Sequence, residues 1–468
     1  MSSIPFKPTR LALSGRQHRV LFEHLFPGDG NEAVAFALGG RARRQDLELI
    51  VVREVITIPY SDCKARTPHR VTWPGTWLEQ VLRKAASTGQ AVVKIHSHPV
   101  GYPWFSQTDD IAEAEMFPSV FGWLDTDAPM ASLIMMPDGK LIGRAVQEDG
   151  SAQPLDCIRV AGDDFHFWHS TAIQTRIPAY GHRVAQTFGD QTYQLLQQLR
   201  VGVVGCSGTG SIVIEQLARN CIGGLVLVDP DHVEDKNLNR IVNSTAADAR
   251  NSTSKCEVLH RAIDAMGLGT EVMTYATDLM DKAVLLALST CDVLFGCMDS
   301  VDGRHLLNKL ASTYVIPLID VGVRLDADGN GGIDSIWTAV HTVQPGGSSL
   351  LSRGVYDMKV LSAASLKRAN PAEYESQVKA GYIKGGNVER PAVISVNMHA
   401  ASLAVNELLA RVHRFRIAPN AEFAIVRSCL TDPEASSYAP DGQSCSAMTH
   451  FVGSGDQIPF LGLLGLES

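Results

Sequence analysis

Val203-Val204-Gly205-Cys206-Ser207-Gly208-Thr209-Gly210 runs from an apolar, β-branched segment straight into a glycine-rich turn. Upstream, residues 201–204 read as a buried strand, and downstream residues 211–220 have helical spacing. Gly205, Gly208 and Gly210 let the backbone approach a phosphate, and the positive end of the following helix attracts its charge. The next apolar run, 225–228, ends in Asp229, where a carboxylate can take ribose hydroxyls. Ser207 stands where a dinucleotide fingerprint has its second glycine, so the loop alone leaves an NAD oxidoreductase open as a rival reading. Helical spacing over 255–266 and 393–411 alternates with apolar runs at 293–296 and 318–322. That alternation predicts an α/β unit with a mostly parallel, Rossmann-like sheet.

The chain has 468 residues, which points to two domains rather than one. Hydrophobic residues make up 45% and charged residues 19%, enough to build sizeable cores. A net charge of -9 without a basic block argues against nucleic acid as a partner. The opening MSSIPFKPTR lacks the apolar core of a secretory signal, and no apolar run is long enough to span a membrane. Nine cysteines, an odd number without a framework, read as reduced thiols. Together these features predict a cytoplasmic protein with no membrane partner.

The first part reads as a small mixed α/β domain. Residues 33–38 and 47–58 read as strands and 77–86 as a helix, while 131–135 and 141–146 flank a Pro137-Asp138-Gly139 hairpin turn. Asp149-Gly150-Ser151-Ala152-Gln153-Pro154 marks a boundary. The expected division is 1–155 for the first domain, 156–181 for a linker and 182–468 for the second domain.

A short strand at 91–95 leads into His96-Ser97-His98-Pro99, followed after seven residues by Ser106-Gln107-Thr108-Asp109. Residues two apart on a strand share a face, so His96 and His98 present two imidazoles to one point. Asp109, one turn into a helix, can bring a carboxylate to the same point. Two histidines, a carboxylate and an open fourth position describe a catalytic zinc site. Ser106-x-x-Asp109 also reads as a helix N-cap with an acidic first turn.

The joint pattern resembles the JAMM (MPN/JAB) family of zinc isopeptidases: a glutamate, then His-Ser/Thr-His-Pro, seven residues, and Ser-x-x-Asp. The resemblance implies a metalloprotease with zinc on His96, His98 and Asp109. The family's glutamate precedes a small apolar strand ending in glycines, as in Asn31-Glu32-Ala33-Val34-Ala35-Phe36-Ala37-Leu38-Gly39-Gly40. It assigns Glu32 as the general base and Ser106 as an aid to the oxyanion. Glu54 competes for the base position but lacks the downstream Gly-Gly.

Beyond Asp229-Pro230-Asp231 come Asn237-Leu238-Asn239-Arg240, Lys255 at a helix start, and Asp299-Ser300 after the run 293–296. From about Arg183 to Arg416 this series resembles the ThiF/MoeB/ubiquitin-activating superfamily, which adenylates the C-terminal glycine of ubiquitin-like proteins. The resemblance implies ATP bound by Gly205, Gly208, Gly210, Asp229, Asp231 and Asn237. By the same resemblance Arg240 and Lys255 would clamp the phosphates, and Asp299 would hold magnesium. It also implies a homodimer, with Arg183 lent across it. An NAD oxidoreductase leaves Asn237, Arg240 and Lys255 unexplained.

Two departures stand out. Pro345-Gly346-Gly347-Ser348-Ser349 carries serines where many members bind structural zinc through Cys-x-x-Cys, leaving only Cys429 and Cys445 near the end. No cysteine lies between Cys297 and Cys429, where a thioester cysteine would stand. Cys206 reads as structural. Asp326-Ala327-Asp328-Gly329-Asn330-Gly331 begins like a calcium loop but has Trp337 in the twelfth place, so a glycine-rich hairpin is expected.

Both resemblances concern one object, the C-terminal tail of a ubiquitin-like or sulfur-carrier protein ending in glycine. The expected enzyme cleaves the peptide or isopeptide bond after that tail and adenylates the exposed glycine with ATP, releasing pyrophosphate. A conjugating enzyme or another acyl acceptor would follow. The alternatives are sulfur-carrier trimming for biosynthesis, or a non-catalytic scaffold that binds such a partner.

Overall fold

The computed structural model describes residues 7–171, 176–328, 330–380, 393–458 and 461. The chain divides into two compact units.

The first unit holds a nine-stranded mixed sheet. Its strands are β1 (Thr9–Ser14), β2 (Val34–Arg43), β3 (Glu48–Thr57), β6 (Ala91–Ser97), β7 (Met130–Met135), β8 (Leu141–Val146), β9 (Ala152–Pro154), β10 (Cys157–Ala161) and β11 (Phe165–His169). A separate two-stranded hairpin is made by β4 (Ala65–Thr67) and β5 (Arg70–Thr72). The large sheet runs β11-β10-β1-β3-β2-β6-β7-β8-β9. Helices α1 (Gly15–Leu25), α2 (Gly75–Thr88) and α3 (Gln107–Leu124) complete the unit. β6 is buried along its whole length because β2 and β7 flank it and helices cover it, so its polar residues Lys94, His96 and Ser97 are buried with its apolar ones.

Two parts of this unit differ from the sequence expectation. Residues 157–169, expected in a linker, form β10 and β11, and β10 lies parallel to β1. Ser312–Val315 and the stretch from His450 also belong here rather than to the second unit. The buried Arg159 donates to the carbonyls of Tyr314 and Val315. The Gly40 N–H donates to the Gly453 carbonyl, and a Cβ on Gly40 would lie 2.3 Å from the Ser454 carbonyl oxygen. Gly40 therefore serves close backbone approach by a segment more than four hundred residues downstream, while a Cβ on Gly39 would meet the Val51 carbonyl oxygen of β3 at 2.9 Å.

The second unit is built on an eight-stranded sheet ordered β14-β13-β12-β15-β16-β17-β18-β19. These are β12 (Arg200–Val204), β13 (Gly224–Val228), β14 (Glu271–Tyr275), β15 (Val293–Gly296), β16 (Leu318–Ala327), β17 (Ile333–Val343), β18 (Ile425–Cys429) and β19 (Ser437–Ala439). The pairings from β14 to β16 are parallel and those from β16 to β19 antiparallel. From β12 the chain steps outward to β13 and β14, then returns to the other side as β15. That reversal creates a crevice at the carboxyl end of β12, where ligands of open α/β sheets bind. The helices among the described residues are α4 (His182–Phe188), α5 (Asp190–Gln198), α6 (Gly208–Arg219), α7 (Ala246–Arg250), α8 (Lys255–Met266), α9 (Lys282–Leu288), α10 (Val301–Thr313), α11 (Met358–Ala369), α12 (Pro371–Lys379), α13 (Ile394–Val412) and α14 (Ser446–Thr449).

The segment read as a false calcium loop joins β16 to β17 as an antiparallel hairpin, and Gly329 lies outside the described residues. At the serine-substituted turn, the Ser348 hydroxyl donates to Asp441, and Arg353 pairs with the same carboxylate at 2.9 Å. Arg353 also donates to the carbonyls of Thr342 and Ala424. Asp441→Ala would strand a buried guanidinium. We expect it to lower stability by about 3–5 kcal/mol, read from chemical denaturation of the full chain. Among the described residues no helix is long and apolar enough to cross a membrane.

Candidate functional site

The first site grows from β6 and the start of α3. His96 and His98 leave the end of β6 on one face, and their Nε2 atoms lie 3.1 Å apart. Ser106 caps α3 in a reciprocal box, accepting from the Asp109 N–H while its own N–H donates to Asp109 Oδ2 at 2.8 Å. This box turns the carboxylate inward, placing Oδ1 3.0 Å from His96 Nε2. Ligand atoms of His96, His98 and Asp109 all fall within 4.8 Å of one another, the one such grouping among the described residues.

The donor set fits a divalent metal. His98 Nδ1 lies 2.7 Å from the Tyr102 carbonyl, which can only accept, so the proton sits on Nδ1 and Nε2 keeps its lone pair. Burial would raise the Asp109 carboxyl, but the close His96 and His98 rings and the Ser106 hydroxyl hold it well below the usual range. Burial drives His96 down to about 4, so it is neutral and able to ligate. At His98 burial is outweighed by Asp109 and the Tyr102 carbonyl, and its pKa rises.

Glu32 lies just before β2, and its neighbour Ala33 brackets Ser97, the residue between the two histidines. The Ala33 N–H donates to Ser97 Oγ at 2.9 Å and its carbonyl accepts from the Ser97 N–H. The Glu32 N–H donates to the Thr67 carbonyl, and Arg66 Nε donates to the Glu32 carbonyl at 3.0 Å. The side chain is 7% exposed. Burial raises its pKa to about 7, against the pull of His98. Glu54, the competitor, is an exposed partner of Lys84. The one Ser106 hydroxyl proton points to Asp109 Oδ2 at 2.7 Å, so in this arrangement Ser106 orients a ligand rather than facing an oxyanion.

The second site lies in the β12 crevice. Gly205 has φ +94°, and a Cβ there would meet the Cys297 carbonyl oxygen at 2.6 Å. A Cβ on Gly210 would meet the Gly205 carbonyl oxygen at 1.7 Å. Gly208 packs beneath the Arg240 side chain, 3.2 Å from a built Cβ to its Cδ, and beneath Asn397. Gly210→Ala should therefore push the loop off the strand. We expect about 2–3 kcal/mol lost from the second unit by thermal unfolding, and loss of ATP binding by calorimetry.

Asp229, at the end of β13, accepts from the Cys206 N–H at 2.7 Å and the Asp231 N–H at 2.9 Å. Burial raises its pKa despite Lys255. Lys255 Nζ lies 2.7 Å from Asp231 and 3.6 Å from Asp229. Asp299 is exposed on the loop after β15, two residues beyond the Cys297 carbonyl that abuts Gly205. The structure thus gathers Gly205, Gly208, Gly210, Asp229, Asp231, Arg240, Lys255 and the Asp299 loop about one crevice. Asn237 is buried in the turn before Arg240, its Oδ1 accepting from the Glu234 N–H at 3.1 Å. Arg183 on α4 donates to Gln186. The Cys206 thiol is pushed far up by its hydrogen bond with Cys256 and by burial, leaving it a poor nucleophile.

Sequence reading missed Arg304 and Asn397. Arg304 donates to the Met298 and Val321 carbonyls and pairs with the buried Asp320 at 3.3 Å, bracing the loop that carries Asp299. The available signal was an arginine five residues after Asp299 on a mainly apolar helix face.

Residues 180–436 match the ThiF family, and residues 16–138 match prokaryotic homologs of the JAB domain. The adenylyltransferase and sulfurtransferase UBA4 of Meyerozyma guilliermondii is 30% identical over 143 residues, 30% of this chain and 33% of that protein. The adenylyltransferase and sulfurtransferase MOCS3 of Mus musculus is 33% identical over 117 residues, 25% of each chain. This chain thus spans about a third or less of the length of these relatives. The crystal structure of E. coli MccB with ATP is 18% identical, covering 57% of this chain and 74% of that one, with a TM-score of 0.43.

Proposed function

This chain belongs to the ThiF family, and from that premise we propose that it processes and activates the C-terminal tail of a ubiquitin-like or sulfur-carrier protein. The observation that carries the reading is the presence, in one chain, of a His96–His98–Asp109 cluster beside Glu32 and a phosphate crevice flanked by Arg240, Lys255 and Asp299. Each constellation alone suits many substrates. A protein tail ending in glycine suits both.

In the first unit, zinc on His96, His98 and Asp109 would supply Lewis acidity at the scissile carbonyl. Glu32, buried and titrating near neutrality, takes the proton of the attacking water and returns it to the leaving amine. Ser106 holds the Asp109 carboxylate in place; it reaches an oxyanion only if its hydroxyl turns away from Asp109.

In the second unit, a carboxylate oxygen of the terminal glycine attacks the α-phosphorus of ATP. The bond to pyrophosphate breaks and an acyl adenylate forms. Gly205, Gly208, Gly210 and the start of α6 cradle the phosphates, Asp229 and Asp231 face the ribose, and Asn237 orients the turn before Arg240. Arg240 and Lys255 offset the charge of two anions brought together. Magnesium held by Asp299 would neutralise phosphate oxygens. The unit works as a homodimer. With no cysteine between Cys297 and Cys429, the acyl group passes to a nucleophile outside that segment, on a conjugating enzyme or a sulfur donor.

The test is ATP–pyrophosphate exchange with small proteins ending in Gly-Gly, beside cleavage of the same proteins carrying a C-terminal extension. The reading expects exchange, and cleavage that a chelator stops. It fails if no Gly-ending protein supports exchange, or if cleavage survives chelation.

A further inference from the structure

Two charged residues lie buried inside the first unit beside its histidine cluster. Lys94 is 3% exposed on β6, and Glu113 is 5% exposed on α3. Their Nζ and Oε1 atoms are 3.1 Å apart. Ser132 on β7 donates to the same oxygen, and Arg144 on β8 donates to Oε2 through Nε at 3.0 Å and Nη2 at 2.8 Å. Every acceptor site of this carboxylate is thus engaged by strands of the sheet. Arg144 also reaches Asp110 at 2.7 Å and lies 4.0 Å over the ring of Phe105, the residue before the α3 cap.

The spacing gives this pair its meaning. Lys94 precedes His96 by two residues, one strand repeat on the same face. Glu113 follows Asp109 by four residues, about one helical turn on the same face. Two strand residues advance about 6.6 Å, and four helical residues about 6 Å. Lys94–Glu113 and His96–Asp109 are therefore successive rungs between β6 and α3, with closely matched lengths of 3.1 Å and 3.0 Å.

We propose that the Lys94–Glu113 rung, braced by Arg144 and Ser132, sets the register of α3 against β6 and so positions Asp109 for the metal. A slip of α3 by one residue would rotate Asp109 by about 100° away from the histidines. The inference rests on the zinc reading of His96, His98 and Asp109. Glu113 touches no ligand atom and acts through the helix.

The test compares full-length wild type and Glu113→Gln for zinc affinity, by competition with a chromophoric chelator, and for the visible absorption of the cobalt-loaded protein, which reports ligand geometry. Near-ultraviolet circular dichroism checks that each variant is folded. Glu113→Gln should bind zinc about 10-fold to 100-fold more weakly and give an altered cobalt spectrum. Ser132→Ala keeps both charges and removes one hydrogen bond; it should shift both readouts in the same direction by a smaller factor, and it serves if Glu113→Gln does not fold. Wild-type affinity and an unchanged spectrum in either folded variant would overturn the positioning role while leaving the zinc site intact. A wild type that binds no zinc would overturn the zinc reading, and the inference with it.

Discussion

Glu32→Gln is expected to abolish tail cleavage while leaving the metal in place. Glutamine keeps the size of the side chain but cannot accept the proton of the attacking water. Loss of a positioned general base costs about 10²–10⁴ in rate. The backbone anchors at Glu32, the Thr67 carbonyl and Arg66 Nε, do not involve the side chain, so the fold should persist. The three ligand residues keep their own bonds to each other, to Ser106 and to Tyr102. Zinc content measured after gel filtration should therefore match wild type, and the loss should appear in kcat rather than KM. Adenylation of a pre-trimmed protein should be unaffected. A variant that loses its metal along with its activity would make Glu32 a structural residue.

Asp299→Ala is the counterpart in the second unit. Asp299 is solvent-exposed on the loop after β15, so its removal should leave thermal stability within about 0.5 kcal/mol. The loop's own anchors, Arg304 on the Met298 carbonyl and the Asp320 pair, remain. ATP–pyrophosphate exchange should fall by about 10²–10³, the cost of removing one preorganised electrostatic element from a transition state. Excess magnesium should restore little, because the carboxylate that holds it is gone. Unchanged exchange would remove Asp299 from the site and with it much of the case for adenylation in this crevice.

Both candidate sites stand out in the sequence because the residues that suggest them are local. His96, His98, Ser106 and Asp109 lie within fourteen consecutive residues, and the strand and helix periods alone bring three of them to one point. Gly205 to Gly210 likewise sits in one turn, and Asp229 ends the next strand. The matched families fall on the expected halves, 16–138 and 180–436. What escaped depended on long-range pairing. β10 is a short strand whose parallel partner β1 lies about 150 residues earlier, and nothing in its own sequence names that partner. The stretch from His450 joins the first unit through backbone hydrogen bonds, such as Gly40 to Gly453 and Asp456 to Arg41, and through the Asp456 carboxylate, which pairs with Arg44 at 2.8 Å and accepts from the Tyr314 hydroxyl. An aspartate and an arginine some four hundred residues apart do not name each other in the sequence. Lys94 and Glu113 carry no sequence signal of their pairing, since a buried charge is legible only beside its partner. Ser106 carries both a cap signal and the oxyanion role that the resemblance implies; its hydroxyl accepts from the Asp109 N–H and donates to the Asp109 carboxylate.

If the proposed function holds, one chain makes the substrate of its second site with its first. The most direct test supplies a small protein ending in Gly-Gly in two forms, one pre-trimmed and one with a C-terminal extension, and follows ATP–pyrophosphate exchange in time. With wild type, the trimmed form should support exchange at once, and the extended form after a lag that shortens as enzyme is added. With Glu32→Gln, the trimmed form should behave as before and the extended form should stay silent. Exchange from the extended form without a lag, or undiminished in Glu32→Gln, would contradict the account.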